Sequence, residues 1–189
     1  MSVSNAIHHF QTIHHHKMLV MKHCFKVGLY KQGLLHDLSK YTWVEFKTGV
    51  RYYRGYKSPN TVEREETGIS RAWLHHKGRN PHHLEYWIDY SADKSKGFAG
   101  MKMPVKYVVE MFCDRVAASK NYQKDKYRDD SALKYFEAGK NRYGDLFHPK
   151  SKALLEDLLQ KLAKDGEEET FRYIREEVLT GKAEIVKNY

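Results

Sequence analysis

Gly33-Leu34-Leu35-His36-Asp37-Leu38-Ser39-Lys40 sets an imidazole directly beside a carboxylate, with a lysine three residues further on. Imidazole and carboxylate are the side chains that hold hydrolytic metals. Two neighbouring residues can both reach an ion only where packing fixes their backbone, so Gly33-Leu34-Leu35 is expected to be the edge of a buried segment. Working outward from the doublet, His16 lies upstream, His75-His76 and His82-His83 lie downstream, and Asp114 follows. Of twelve histidines in 189 residues, eleven precede position 84, so the enrichment is regional and marks the N-terminal half as a site.

The surrounding periodicity is helical, and no stretch alternates cleanly enough to read as a paired strand, which predicts an all-α fold. A first helix is expected over about residues 5 to 31, with His9, His16, Val20, His23 and Val27 on one stripe and Gly33 breaking it. A short helix over 40–48 and a long basic, aromatic loop over 49–60 follow. Ser70 is expected to cap a helix through His76 that Gly78 stops, and Asn80-Pro81 to start another at His82. Residues 91–100 read as loop. Pro104 starts a long helix whose Val105, Val109, Phe112 and Val116 form a stripe, with Asp114 pointing into the interior. Beyond Tyr122, helices are expected over 131–138 and 149–164. Gly166 ends the latter, and a last helix carries Phe171, Ile174 and Val178.

The chain of 22.3 kDa and 41 % hydrophobic residues fits one domain, 1–189, with a metal-binding core over 1–125 and a C-terminal helical hairpin over 126–189. No run of eighteen apolar residues occurs and the first residues lack a signal-peptide layout, so neither membrane spanning nor secretion is expected and the compartment reads as cytoplasmic. Cys24 and Cys113 sit in apolar helical patterns and read as buried free thiols. A net charge of +9 attracts anions, from nucleotides and phosphate esters to nucleic acid, without choosing among them.

Leu34-Leu35-His36-Asp37-Leu38-Ser39-Lys40 resembles the LLHDxxK segment of the HD-domain superfamily of metal-dependent phosphohydrolases. His16 with Val20 resembles that superfamily's upstream HxxxV histidine, and Asp114-Arg115-Val116-Ala117-Ala118 its closing aspartate. The resemblance covers residues 8 to 120. More closely, the whole chain is similar to an uncharacterised bacterial and phage family with the segments GLxxQGLLHDLSKY, AWLHHKGRNPHHLEYW and MPVKYVVEMFCDRVAAS, whose function is unknown.

The resemblance implies a helical bundle holding one or two divalent ions, with Mn, Fe, Zn, Ni, Co and Mg all open. His16, His36, Asp37 and Asp114 are the implied ligands of a first ion. His76, His82 and His83 are candidates for a second, although their separation of six or seven residues is shorter than in binuclear relatives. His8, His9, His14 and His15 read as an exposed helix start, His23 stays open between ligand and core residue, and His148 reads as a turn residue. Catalytic roles fall to Asp37, Lys40 and Arg115, and substrate contacts to Lys40, Arg51, Arg54 and Arg79, whose charges offset that of a phosphate. A bound cation lowers the pKa of a coordinated water and stabilises charge on a phosphoryl oxygen. The expected activity is phosphohydrolysis of a nucleotide or another small phosphorylated metabolite, with nucleic acid the less favoured partner. Two alternatives remain: a di-iron oxygenase on the same ligands, and a non-catalytic nucleic-acid or protein-binding module with a structural metal.

Overall fold

The structure, a computed structural model, describes residues 2–189. It is all-α, as the periodicity predicts: α1 (Val3–Lys26), α2 (Tyr30–Leu35), α3 (Trp43–Arg51), α4 (Pro59–Thr67), α5 (Arg71–Lys77), α6 (Val105–Gln123), α7 (Ser131–Gly139), α8 (Pro149–Tyr173) and α9 (Glu184–Lys187). The exception is a hairpin of β1 (Ile88–Tyr90) and β2 (Phe98–Gly100), paired antiparallel with Asp89 opposite Ala99, in a region read from sequence partly as loop.

Helix α6 is the axis of the bundle because it is apolar on both faces. Val108, Val109, Phe112, Cys113, Val116 and Ala117 are all buried, with α1 packed along one side and α7 and α8 along the other. Leu154, Leu155, Leu158, Leu159 and Leu162 of α8 are fully buried in the same core as Val20 and Cys24 of α1. At ~1.5–3 kcal/mol per buried leucine, these five stabilise the bundle by on the order of 10 kcal/mol. The C-terminal hairpin thus holds α6, and with it Asp114, in place.

Several boundaries differ from the sequence reading. Helix α1 stops at Lys26 because Gly28 adopts φ +85°, open to glycine and strained for other residues. Gly33 is no break; it lies inside α2, where an added Cβ would come within 3.0 Å of Cys24 Cβ, so its lack of a side chain lets α2 press onto α1. The expected basic loop over 49–60 shrinks to residues 52–58, since α3 continues to Arg51 and α4 begins at Pro59, where a missing N–H costs nothing. Ser70 caps α5 as expected, accepting from the Trp73 N–H at 3.0 Å. No helix starts at His82. Residues 80–83 form a turn leading to a 3-10 turn at Leu84–Trp87, and Asn80 ties that turn to its neighbours, its Nδ2 donating to His76 O (2.7 Å) and Ser39 Oγ (2.9 Å). Gly166, at φ +79° and ψ 175°, is non-helical and breaks α8 into two helical segments, which agrees with the sequence reading that a helix ends there and another carries Phe171 and Ile174.

Candidate metal centre

The doublet is built by a change of backbone hand. His36 leaves α2 at φ −51°, ψ 127°, and Asp37 follows at φ 54°, ψ 23°, in the left-handed region. That conformation costs a non-glycine residue ~1–2 kcal/mol, and aspartate is among the side chains that tolerate it best. Its effect is to bring both side chains inward. The expected burial of the neighbouring leucines is not what fixes the turn, since Leu34 and Leu35 are 55 % and 52 % exposed. Hydrogen bonds fix it instead: Lys17 of α1 donates to Leu34 O (2.8 Å) and His36 O (3.0 Å), and the Lys40 N–H donates to Asp37 O (2.9 Å).

Four elements converge on Asp37. On one side, His16 Nε2 lies 2.9 Å from Asp114 Oδ1 and 3.8 Å from Asp37 Oδ2, while His36 Nε2 lies 3.3 Å from Asp37 Oδ2 and 3.6 Å from Asp114 Oδ1. On the other, His76 Nε2 and His82 Nε2 lie 3.3 and 3.5 Å from Asp37 Oδ1, and His76 Nε2 lies 2.9 Å from His83 Nε2. The two sets, His16/His36/Asp37/Asp114 and Asp37/His76/His82/His83, each keep one ligand atom per residue within 4.8 Å of the others. Ligand atoms around an ion at ~2.0–2.2 Å stand ~3–4 Å apart, so the spacing suits a cation in each set. Asp37 serves both, one oxygen to each.

The chemistry of these atoms points the same way. His16 Nε2, His36 Nε2, His82 Nε2 and both Asp37 oxygens are buried and make no hydrogen bond of acceptable geometry, despite the short distances between them. Orphaned buried polar atoms are costly, and one cation in each set would between them satisfy all five. The other ring nitrogens are already engaged. Glu110 Oε1 faces His36 Nδ1 (3.0 Å) and His82 Nδ1 (3.2 Å), and Glu45 faces His75 Nδ1 (2.6 Å) and His76 Nδ1 (2.8 Å). A carboxylate at Nδ1 fixes the tautomer that leaves Nε2 a free lone pair.

The electrostatics are those of a cation trap. Burial opposes ionisation of Asp37, yet the charges of His36 and Lys40 outweigh it and hold the carboxyl well below its usual range. Asp114 follows the same pattern, with burial offset by His16 and His36. Burial also opposes charge on His36, and the neighbouring Asp37 and Asp114 carboxylates raise its pKa nonetheless. The same carboxylates would favour a cation at this point. His83 is pushed well down by burial and by His82 and His76, which keeps its ring neutral. His16, His36, Asp37, His76 and His82 are buried, whereas Asp114, Lys40 and His83 are partly open, so solvent reaches the centre from their side.

Of the other residues singled out from sequence, Lys40 is at the centre, 2.6 Å from Asp37 Oδ2. The arginines are not among the converging groups. Arg115 projects from the next position of α6 and lays its guanidinium over the Phe136 ring, 5.7 Å from its centroid, because one residue along a helix turns the side chain away from the face of Asp114. Arg54 pairs with Glu66 (3.0 Å), Arg51 stacks over Tyr52, and Arg79 donates to His75 O (3.2 Å). His23 is a core histidine, packed on Phe171 with Nδ1 3.4 Å from Cys113 O. His9 is buried too, against the expectation of an exposed helix start, while His8, His14 and His15 are exposed. His148 caps α8 by accepting from the Lys150 N–H.

Glu110 and Glu45 escaped the sequence reading. Glu110 had a signal, since it lies one turn before Asp114 on the same face of α6. Glu45 had none: its partners are thirty residues away.

Residues 5–161 match the model of a protein family described as a family of unknown function, DUF5662. The chain belongs to this family. The matched stretch holds every residue of both ligand sets together with Glu45 and Glu110, and ends within α8. No curated protein and no solved structure matches the chain.

Proposed function

We propose that this member of DUF5662 is a divalent-metal-dependent phosphohydrolase acting on a small phosphorylated metabolite, nucleotides included. The observation that carries the reading is the pair of ligand sets that share Asp37, one carboxylate oxygen facing each, around five buried atoms whose only other close partner is the Lys40 ammonium at Asp37 Oδ2. His16, His36, Asp37 and Asp114 would hold one ion, and Asp37, His76, His82 and His83 another. Such ions supply Lewis acidity toward phosphoryl oxygen and acidify water near neutral pH.

The chain's own groups complete the site. Glu110, facing Nδ1 of His36 and His82, and Glu45, facing Nδ1 of His76, orient these rings with Nε2 toward Asp37. Lys40 sits at the open edge, where its ammonium offsets the negative charge of an arriving phosphate. The resemblance of the Leu34–Lys40 segment to HD-domain phosphohydrolases supports the same chemistry. An oxygenase would need no fixed cation at the mouth, which favours the hydrolase.

The test is tag-free protein, loaded separately with Mn, Fe, Zn, Ni, Co and Mg, against a panel of nucleotides and sugar phosphates with phosphate release as readout. Metal-dependent release that disappears in Asp37→Asn supports the proposal. Dioxygen consumption by the iron form, with no phosphate released from any substrate, refutes it.

A further inference from the structure

The N-terminal helix carries a second, apolar face that the bundle leaves uncovered. While His9, Ile13, His16, Val20 and His23 of α1 face the core, Ile7, Phe10, Met18 and Phe25 form a separate stripe at helical spacing and are each 38–52 % exposed. The stripe continues onto the segment that carries the metal doublet. Phe25 packs edge-on against Tyr30 at 5.2 Å, Phe10 against Tyr41 at 6.1 Å, and Lys17 ties α1 to Leu34 O and His36 O. Tyr30, Leu34, Leu35 and Leu38 of that segment are 46–60 % exposed. With ~150–250 Å² for a fully exposed aromatic side chain, and somewhat less for the five aliphatic ones, the eight half-exposed residues present on the order of 700 Å². A monomer's largest apolar patch is typically ~300–600 Å², and one side of a standard interface is ~800 Å².

We infer that this face is the two-fold interface of a homodimer, α1 packing antiparallel on α1 of a second copy. The area approaches what one partner of a stable dimer buries. The charges match an antiparallel arrangement. No acidic residue occurs before Asp37, and the lysines of this region, Lys17, Lys22, Lys26 and Lys31, all lie in the C-terminal half of α1 or beyond it. Lys17 is turned onto backbone carbonyls and Lys26 toward Glu167. A two-fold axis near His14, the middle of the stripe, sets Lys22 of one copy against the uncharged Ser4–His8 end of the other; a parallel pairing would set lysine against lysine. Leu34, Leu35 and Leu38 then flank the axis, so dimerisation covers the outer side of the turn that aims His36 and Asp37.

Sedimentation equilibrium of the full chain at micromolar concentration tests this directly. The expected mass is twice the 22.3 kDa of one chain. Phe10→Glu/Met18→Glu, at two exposed positions outside both ligand sets, is expected to give a monomer with unchanged circular dichroism. His14→Cys is expected to cross-link under mild oxidation into a single dimeric species. A wild-type monomer at 100-fold higher concentration, or a dimer untouched by the double substitution, overturns the inference. So does a monomer that sediments with anionic phospholipid vesicles through the same residues, which would assign the face to a lipid surface. None of these readouts depends on metal or turnover, so the inference and the proposed hydrolase stand or fall separately.

Discussion

Replacing Asp37 by asparagine removes one charge and leaves nearly everything else in place. Asparagine tolerates the left-handed conformation at φ 54° about as well as aspartate, so the backbone cost is unchanged; alanine would add ~1–2 kcal/mol there. The ammonium of Lys40, 2.6 Å from Asp37 Oδ2, loses its nearest partner. Breaking a buried pair costs ~3–5 kcal/mol, but Lys40 is 27 % exposed and Asp114 also acts on it, so a loss of about 1–2 kcal/mol in the metal-free protein is expected. The larger effect is on metal. Because Asp37 belongs to both ligand sets, Asp37→Asn should lose both ions, whereas His16→Ala and His82→Ala should each lose about one. Elemental analysis of tag-free protein after dialysis reads the stoichiometry, and melting with and without chelator reads the linkage. A ligand at 1,000 times its Kd stabilises by ~4 kcal/mol, so wild type should melt markedly lower in chelator and Asp37→Asn should not respond. Asp37→Asn protein that retains about two equivalents of metal would refute the shared-ligand reading and remove the main support for hydrolysis.

Glu110→Gln keeps the volume but weakens the acceptor facing both His36 and His82, and metal affinity should fall ~10–100-fold at both sets; titration with a competing chelator checks it, and unchanged affinity would reduce Glu110 to a packing residue. Burial, aided by the charge of Lys40 for His9 and of Lys120 for His23, lowers both pKa values to about 4. The unfolded chain, with histidines near 6.5, binds more protons between pH 6.5 and 4, so this stability is fully present above pH 6.5 and drains as pH falls toward 4. By pH 5 each should have cost up to ~2 kcal/mol, and urea midpoints of wild type and His9→Asn/His23→Asn across that range should diverge in slope; parallel slopes would contradict the assignment. Gly100→Ala would place a Cβ 2.3 Å from the Leu146 carbonyl oxygen, a backbone atom that cannot swing aside, and should destabilise by about 1–3 kcal/mol in chemical unfolding, whereas a loss below the measurement error would mean that β2 shifts freely.

Helix periodicity alone carried the fold class, because 3.6-residue spacing is a local property and most of the chain is helical. The candidate ligand residues were legible for a different reason: histidine and aspartate are chemically distinctive, and their order along the chain survives without coordinates. Tertiary structure was needed wherever partners are distant or a side chain serves the backbone. Asn80 reads as the cap of a helix from His82, where the structure has a turn with the Asn80 amide bound to Ser39 and the His76 carbonyl. Arg54 reads as a phosphate contact, and only the structure shows the Glu66 carboxylate that it pairs with. Leu34 and Leu35 read as core by hydrophobicity, yet the turn that points His36 and Asp37 inward leaves them facing out. Which oxygen of Asp37 faces which ligand set was also beyond the sequence, since it depends on a left-handed backbone and on α1, α5, α6 and the 80–83 turn arriving at one carboxylate from different directions. Local pattern names the residues that can bind an ion; only the packing of remote elements decides which of their lone pairs meet.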